Sequence, residues 1–194
     1  MQEKEQYFVF LDIDGTLWDM DYNSDRYSNV HYVEWPKLKP SSIKALKTLL
    51  YSLEQEYDTV LVISSKRRED IDDCKEYLKA NKFVFNKPLE KIESPSIICR
   101  GNSILNFMKN RGKAPFTYAE SSNIFGRLFS KIKDEDYKNY VVLEDEKYLL
   151  GNYIPKNRII MSDHNKQSIN LKQVEKYLRN NNIKISYPNE EEFM

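Results

Sequence analysis

The chain has 194 residues, the size of one domain or two small ones. Thirty Lys and Arg residues balance thirty Asp and Glu residues, and this neutrality argues against a strongly basic surface for nucleic acid or membrane. No apolar run reaches the roughly 18 residues of a membrane span, the polar N-terminus predicts no secretory signal, and the two cysteines lie far apart. We therefore expect a protein of the reducing cytoplasm with no membrane association.

Continuous apolar runs predict buried strands of a parallel sheet, because such strands are covered on both faces. Three strong runs and three weaker ones follow this pattern, at residues 7–11, 59–63 and 140–143, and at 83–85, 158–161 and 183–187. Apolar residues at helical spacing lie between or after them, at 43–53, 71–78, 104–108 and 171–178. The alternation predicts an α/β fold, a three-layer Rossmann-like sandwich around a parallel sheet.

The pattern favours a single domain over residues 1–188. Residues 110–136 have mixed polarity and no clear periodicity, so we interpret them as a small insertion beside the sheet. Residues 189–194 form an acidic tail that we expect to be frayed and solvated.

The most informative motif follows the first strand and reads Asp12-Ile13-Asp14-Gly15-Thr16. Carboxylates two residues apart at a strand end can face one crevice, where parallel sheets bind their ligands, and Gly15 permits a tight turn. Such carboxylates can hold Mg²⁺ through oxygen atoms. One can also attack phosphorus while the other handles the proton. The alternative is a surface turn of Asp-x-Asp-Gly type.

Three segments together resemble the haloacid dehalogenase (HAD) superfamily of phosphohydrolases. Residues 10–17 resemble motif I, residues 60–64 resemble motif II, and residues 141–145 resemble motif IV, in the order that the family has. Further segments are similar to small capless HAD domains, including those of "Swiss army knife" RNA-repair proteins; they lie at residues 62–68, 100–107 and 160–163. The resemblance implies a HAD-like sheet with a minimal cap.

The resemblance also implies roles for individual residues. Asp12 would be the nucleophile and a metal ligand. Asp14 would be the general acid and base, with its backbone carbonyl on Mg²⁺. Ser64 would donate a hydrogen bond to the phosphoryl group. Asp145 would complete the Mg²⁺ site, with Glu144 beside it in support.

Four further residues are expected on the substrate side of this site. Gly15 and Thr16 shape the motif I turn, and Ser65 follows the motif II serine. Arg67 belongs to a basic run that could meet a second phosphate or a nucleic-acid backbone. The alternative for that run is a solvated helix start.

A cation is needed to balance the phosphoryl group and the Asp12 carboxylate. We favour Arg100, because Arg100-Gly101 opens a predicted helix whose N-terminus also favours anions. Lys87, Arg127 and Lys131 remain competing candidates at this stage.

The expected function is Mg²⁺-dependent hydrolysis of a phosphate monoester through an aspartyl-phosphate on Asp12. The phosphorylated substrate could be a small molecule or a polynucleotide end, and no protein partner is expected. One alternative is a polynucleotide-end phosphatase of nucleic-acid repair. A second alternative is a non-catalytic binding module with the HAD fold, against which the presence of both Asp12 and Asp14 argues.

Overall fold

The computed structural model describes residues 4–18, 36–65, 70–92, 100–111, 138–151, 153–162 and 167–189. The predicted site residue Arg67 and the candidate cations Arg127 and Lys131 lie outside these ranges. The insertion predicted near 110–136 lies almost wholly outside them, as does most of the tail predicted at 189–194.

Strands and helices alternate along the chain, as the apolar runs and the helical spacing predict. The strands are β1 (Gln6–Leu11), β2 (Asp58–Ile63), β3 (Leu89–Lys91), β4 (Tyr140–Glu144) and β5 (Ile159–Met161). The α-helices are α1 (Pro40–Glu54), α2 (Ile71–Ala80), α3 (Arg100–Asn110), α4 (Lys147–Leu150) and α5 (Leu171–Asn180), and a 3-10 turn spans Lys156–Arg158.

All five strands form one parallel sheet in the order β3-β2-β1-β4-β5. Strand β1 lies at the centre, paired with β2 on one side and β4 on the other. Leu11 is level with Ile63 and with Leu143, so the three strands end at the same edge. The predicted α/β class and parallel sheet are confirmed, and the layout is compatible with a Rossmann-like fold.

Both faces of the sheet are covered, which explains why each central strand contains a continuous apolar run. Val9 and Leu11 face a core formed with α1, α2 and α5. Phe8 and Phe10 face a second core formed with α3 and α4. Successive strand residues point to opposite faces, so both sets must be apolar. Within the described ranges, no helix combines the length and the apolar character needed to cross a membrane.

The strand predicted at residues 83–85 is wrong. Phe83 instead closes the end of α2, where its N–H donates to the carbonyl of Leu78 at 2.9 Å, directly after Lys82 at φ 63°. The rings of Phe83 and Phe85 stack with their centroids 6.3 Å apart. The edge strand is Leu89–Lys91, whose half-buried residues carry no apolar run.

The strand predicted at residues 183–187 is also wrong. This segment is anchored to helix α1 and lies outside the sheet. The Ser52 hydroxyl donates to the carbonyl of Ser186 at 3.0 Å, and the Ser186 N–H donates back to that hydroxyl oxygen at 2.9 Å. Ile183 packs into the core without a strand partner. Its apolar spacing therefore reflects burial rather than sheet pairing.

Candidate active site

The backbone brings polar residues together where the strands end. The Asp12 N–H donates to the carbonyl of Leu143 at 3.0 Å, and the Ser64 N–H donates to the carbonyl of Leu11 at 2.9 Å. The hydrogen-bond ladder thus continues past the apolar runs. The residues that follow β1 and β2 are held at the carboxyl edge of the sheet beside the end of β4.

Asp12 is buried at this edge, with only 2% of its surface exposed. Its Oδ1 lies 3.0 Å from Nη1 of Arg100. Its Oδ2 accepts a hydrogen bond of 3.4 Å from the Thr16 hydroxyl. Thr16 can reach back because the chain turns after the strand, with the Leu17 N–H donating to the carbonyl of Ile13 at 3.0 Å.

Glu144 is the second buried carboxylate of the site. Its side chain forms a hydrogen bond and an ion pair with Arg100. Its Oε1 accepts from the backbone N–H groups of Asp145 and Glu146, at 3.1 and 3.2 Å. These donors supply the hydrogen bonds that a buried carboxylate requires.

Asp12, Glu144 and Asp145 form a three-carboxylate cluster. One oxygen from each lies within 4.8 Å of the others, so Asp145 lies close to Asp12, as predicted. Burial raises the pKa of Asp12, the charge of Glu144 raises it further, and Arg100 opposes both effects. Burial also raises the pKa of Glu144 to about 7 and raises the pKa of Asp145. Crowded acids that are hard to ionise favour a bound cation.

Among the residues that the structure describes, Arg100 is the basic side chain paired with Asp12. It begins α3 and is itself buried. Burial alone would lower the pKa of Arg100, but the carboxylates of Asp12 and Glu144 raise it. Lys87 lies elsewhere, 3.5 Å from the carboxylate of Asp58, which begins β2 at the opposite edge of the sheet.

The tight seating of α3 determines where Arg100 lies. Gly101, the next residue, packs against the end of α4. A Cβ atom at Gly101 would lie 2.4 Å from the carbonyl oxygen of Leu150. Only a glycine permits this close approach. It holds the first turn of α3 against the end of α4, the helix that follows Asp145 and Glu146.

Asp14 stands beside the cluster and is half-buried. Its Oδ2 accepts a hydrogen bond of 3.3 Å from the Ser65 hydroxyl. Gly15 has φ 73°, a left-handed conformation that lets the chain turn after the two aspartates. Ser64 is buried directly after β2. The fold therefore brings motif I and motif II together at one edge.

Ser162 also lies at this edge, although the sequence alone predicts no role for it. Its hydroxyl donates to the carbonyl of Gly15 at 3.1 Å, and its N–H donates to the carbonyl of Glu144 at 2.9 Å. It thus ties the motif I turn to the end of β4. The sequence feature that could have indicated Ser162 is its position directly after the apolar run that forms β5. Asp12 and Ser64 follow the runs of β1 and β2 in the same way.

The donor set fits Mg²⁺ by its chemistry. Carboxylate oxygens are hard ligands of the kind that Mg²⁺ prefers. When ionised, the three carboxylates carry three negative charges, and the guanidinium of Arg100 offsets one of them. A divalent cation would offset the other two.

Comparisons of the chain with models of protein families, with curated proteins and with solved structures give no significant match. The resemblance to HAD phosphohydrolases thus rests on the motifs around Asp12, Ser64 and Asp145. The fold and the site define an α/β protein with an acidic centre at the carboxyl edge of its sheet, where parallel sheets bind their ligands.

Proposed function

We propose that this chain is a Mg²⁺-dependent phosphohydrolase that cleaves phosphate monoesters through an aspartyl-phosphate on Asp12. The observation that carries the proposal is the buried contact of Asp12 with Arg100, beside Glu144 and Asp145. The fold would then be a HAD-like sandwich. Its cap would be minimal, because only residues 12–39 lie between β1 and α1, too short a stretch for a large cap domain.

The burial of Asp12 supports the proposal. Two carboxylates and a guanidinium buried together lose favourable hydration, so a purely structural role would be costly. Perturbed acids at a ligand-binding edge are typical of functional sites. Asp14 supports catalysis in particular, because a protein that only binds phosphate needs no acid beside the nucleophile.

The proposed reaction has two steps, and both use residues of this chain. An oxygen of Asp12 bonds to phosphorus, the bond from phosphorus to the ester oxygen breaks, and Asp14 gives its proton to the departing alcohol. Asp14 then takes a proton from a water molecule that attacks phosphorus, which frees Asp12 and inorganic phosphate.

Other groups stabilise the transferred phosphoryl group. Arg100 would donate hydrogen bonds to its oxygens, and Ser64 would add a further donor. The side chains of Asp12 and Asp145 and the backbone carbonyl of Asp14 would hold Mg²⁺. When bound, this ion would neutralise negative charge on the phosphoryl oxygens.

A phosphatase screen tests the proposal. Nucleotides, sugar phosphates, aryl phosphates and oligonucleotides phosphorylated at the 3′ or 5′ end would be assayed with Mg²⁺ and with EDTA. We expect Mg²⁺-dependent release of phosphate that falls by several orders of magnitude in Asp12→Asn. The matched control is Asp58→Asn, because Asp58 lies at the opposite edge of the sheet, beside Lys87. Activity that Asp12→Asn retains would exclude the covalent mechanism, and no activity on any substrate would favour a binding module.

A further inference from the structure

A short helix beside the acidic centre presents an exposed tyrosine ring. Helix α4 begins at Lys147, two residues after Asp145. Leu149 and Leu150 of this turn are buried and anchor it, whereas Tyr148 is 71% exposed. It is the most exposed large hydrophobic residue in the part of the chain that the structure describes.

Tyr148 is connected to the acidic centre by hydrogen bonds. Its hydroxyl donates to Oε2 of Glu146 at 2.9 Å. The N–H of Glu146 in turn donates to Glu144, which is paired with Arg100. A hydrogen bond to a charged group is stronger than one between neutral groups. This contact therefore restricts the ring although most of its surface is exposed.

Tyr148 also follows the acidic centre closely along the chain. Three residue steps from Asp145 to Tyr148 span at most about 11 Å. The hydrogen bond to Glu146 raises the pKa of Tyr148, and the charge of Asp145 raises it further while Arg100 lowers it. The hydroxyl thus stays protonated and keeps donating to Glu146 at neutral pH.

We propose that Tyr148 forms a stacking subsite for a flat aromatic ring in the leaving group of the phosphate monoester. The inference rests on the proposed function and extends it to a class of substrate. The phosphoryl group would lie at Asp12 and Arg100, and the ring of the leaving group would lie against the ring of Tyr148.

A flat aromatic group suits this ring better than an aliphatic one. Stacked rings bury a large apolar area and align their quadrupoles. The stacking of a base on an aromatic side chain is sequence-tolerant, because every base has a flat face. The subsite would therefore accept a phenyl ring or a nucleobase, and the identity of the ring would depend on other contacts.

Binding of non-hydrolysable ligands tests the subsite apart from catalysis. Phenylphosphonate and methylphosphonate share the charged group and differ in the ring. Their Kd values would be measured by calorimetry with Mg²⁺ for the wild type, Tyr148→Ala and Tyr148→Phe. We expect the wild type to prefer phenylphosphonate by about 5- to 150-fold, the range for one aromatic stack. The preference should disappear in Tyr148→Ala and largely persist in Tyr148→Phe.

The chain offers a matched control in Tyr187. This tyrosine is 53% exposed, and its hydroxyl donates to Glu175 at 2.7 Å. It follows Ser186, which is bound to Ser52 in the last part of α1, away from the acidic centre. Tyr187→Ala should leave the preference for phenylphosphonate unchanged.

Hydrolysis assays then distinguish the kinds of ring and separate the two proposals. Phenyl phosphate, a nucleoside 5′-monophosphate and glycerol phosphate would be compared in the same variants. Tyr148→Ala should raise KM for the first two and leave glycerol phosphate unchanged. If the phosphonates bind as expected but no ester is hydrolysed, the proposed function fails, and Tyr148 remains a stacking site for an aromatic ligand that carries a phosphoryl group but not for a leaving group.

Three results would overturn the subsite. They are a phenylphosphonate preference that Tyr148→Ala retains, the absence of any preference in the wild type, and no binding of either phosphonate. If hydrolysis proceeds under any of these results, the proposed function stands without the subsite.

Discussion

Arg100 and Asp12 form a buried ion pair at the carboxyl edge of the sheet, with 3.0 Å between Nη1 and Oδ1. Arg100 also bonds to Glu144, so one guanidinium connects the end of β1 with the end of β4. The pair belongs to two different strand–helix units. Its formation therefore depends on the sheet order.

Removal of the Arg100 guanidinium should impair both catalysis and stability. We expect Arg100→Ala to lower kcat/KM by ~2.7–4 kcal/mol, the range for losing one preorganised stabiliser. It should also lower the free energy of unfolding by about 3–5 kcal/mol, because two buried carboxylates lose their partner. Arg100→Lys should recover part of the lost activity and part of the lost stability, because lysine keeps the positive charge but cannot form the two parallel hydrogen bonds of a guanidinium. Steady-state kinetics and urea unfolding measure the two effects.

The control for Arg100 is Arg179→Ala. Arg179 is exposed on α5 and pairs with Glu175 at 3.0 Å. A surface pair whose arginine is exposed contributes about 0–1 kcal/mol, so this variant should resemble the wild type. Near-normal activity in Arg100→Ala would place the catalytic cation elsewhere.

Asp145→Asn should weaken metal binding more than folding. We expect the Mg²⁺ concentration for half-maximal activity to rise by about 10- to 100-fold or more, because a neutral amide is a poorer ligand than a carboxylate. A Mg²⁺ titration of the activity measures this shift. The control is Glu146→Gln, since Glu146 lies next in the chain and accepts from Tyr148 outside the cluster. Equal Mg²⁺ dependence of the two variants would contradict the assignment of Asp145.

Gly101→Ala tests the seating of α3. The new Cβ would meet the carbonyl oxygen of Leu150 at 2.4 Å. We expect the free energy of unfolding to fall by about 1–3 kcal/mol through this overlap. At a helix position with free space around it, the same change would stabilise the protein by about 1 kcal/mol. Asn106→Ala, at an exposed position of α3, is the control in urea unfolding, and it should show no such loss.

Two buried tyrosines should make the protein sensitive to alkali. The hydroxyls of Tyr7 and Tyr177 form a hydrogen bond of 2.6 Å with each other, and they lie 3.3 and 3.1 Å from the carbonyl oxygen of Tyr140, which accepts from the hydroxyl that keeps a free proton. Burial raises the pKa of Tyr7 and of Tyr177. The unfolded chain therefore releases protons near pH 10 that the folded chain keeps. The stabilisation is complete below this pH, and the free energy of unfolding falls as the pH rises above it.

Tyr7→Phe removes one of these groups, so its stability should decline less steeply above about pH 10 than that of the wild type. At neutral pH the free energy of unfolding of Tyr7→Phe should be about 1 kcal/mol lower than that of the wild type, because the hydrogen bonds of the Tyr7 hydroxyl are lost. Urea unfolding at a series of pH values measures both. Tyr51→Phe, at a half-buried position of α1, should keep the wild-type slope. If the free energy of unfolding of Tyr7→Phe declined with pH as steeply as that of the wild type, the sensitivity to alkali would not come from Tyr7 and Tyr177.

The strongest predictions from sequence concern elements whose pattern has a local cause. Strands β1, β2 and β4 each contain a continuous apolar run because they are covered on both faces. The turn at Asp12 and Gly15 follows from residue types that end a strand and permit positive φ. The positions of Asp12 and Asp145 at strand ends could therefore be predicted without a structure.

The tertiary structure decided what depends on distant partners. Strand β3 has no apolar run, and it is a strand because its backbone pairs with β2. Among the basic candidates, charge alone could not separate Arg100 from Lys87, and only the sheet order brings Arg100 to Asp12 while Lys87 faces Asp58. The buried Glu144 likewise depends on a distant partner, because its carboxylate pairs with Arg100 at the start of α3. Local patterns carry burial and turn preferences, whereas contacts between separate strand–helix units arise only when the sheet assembles.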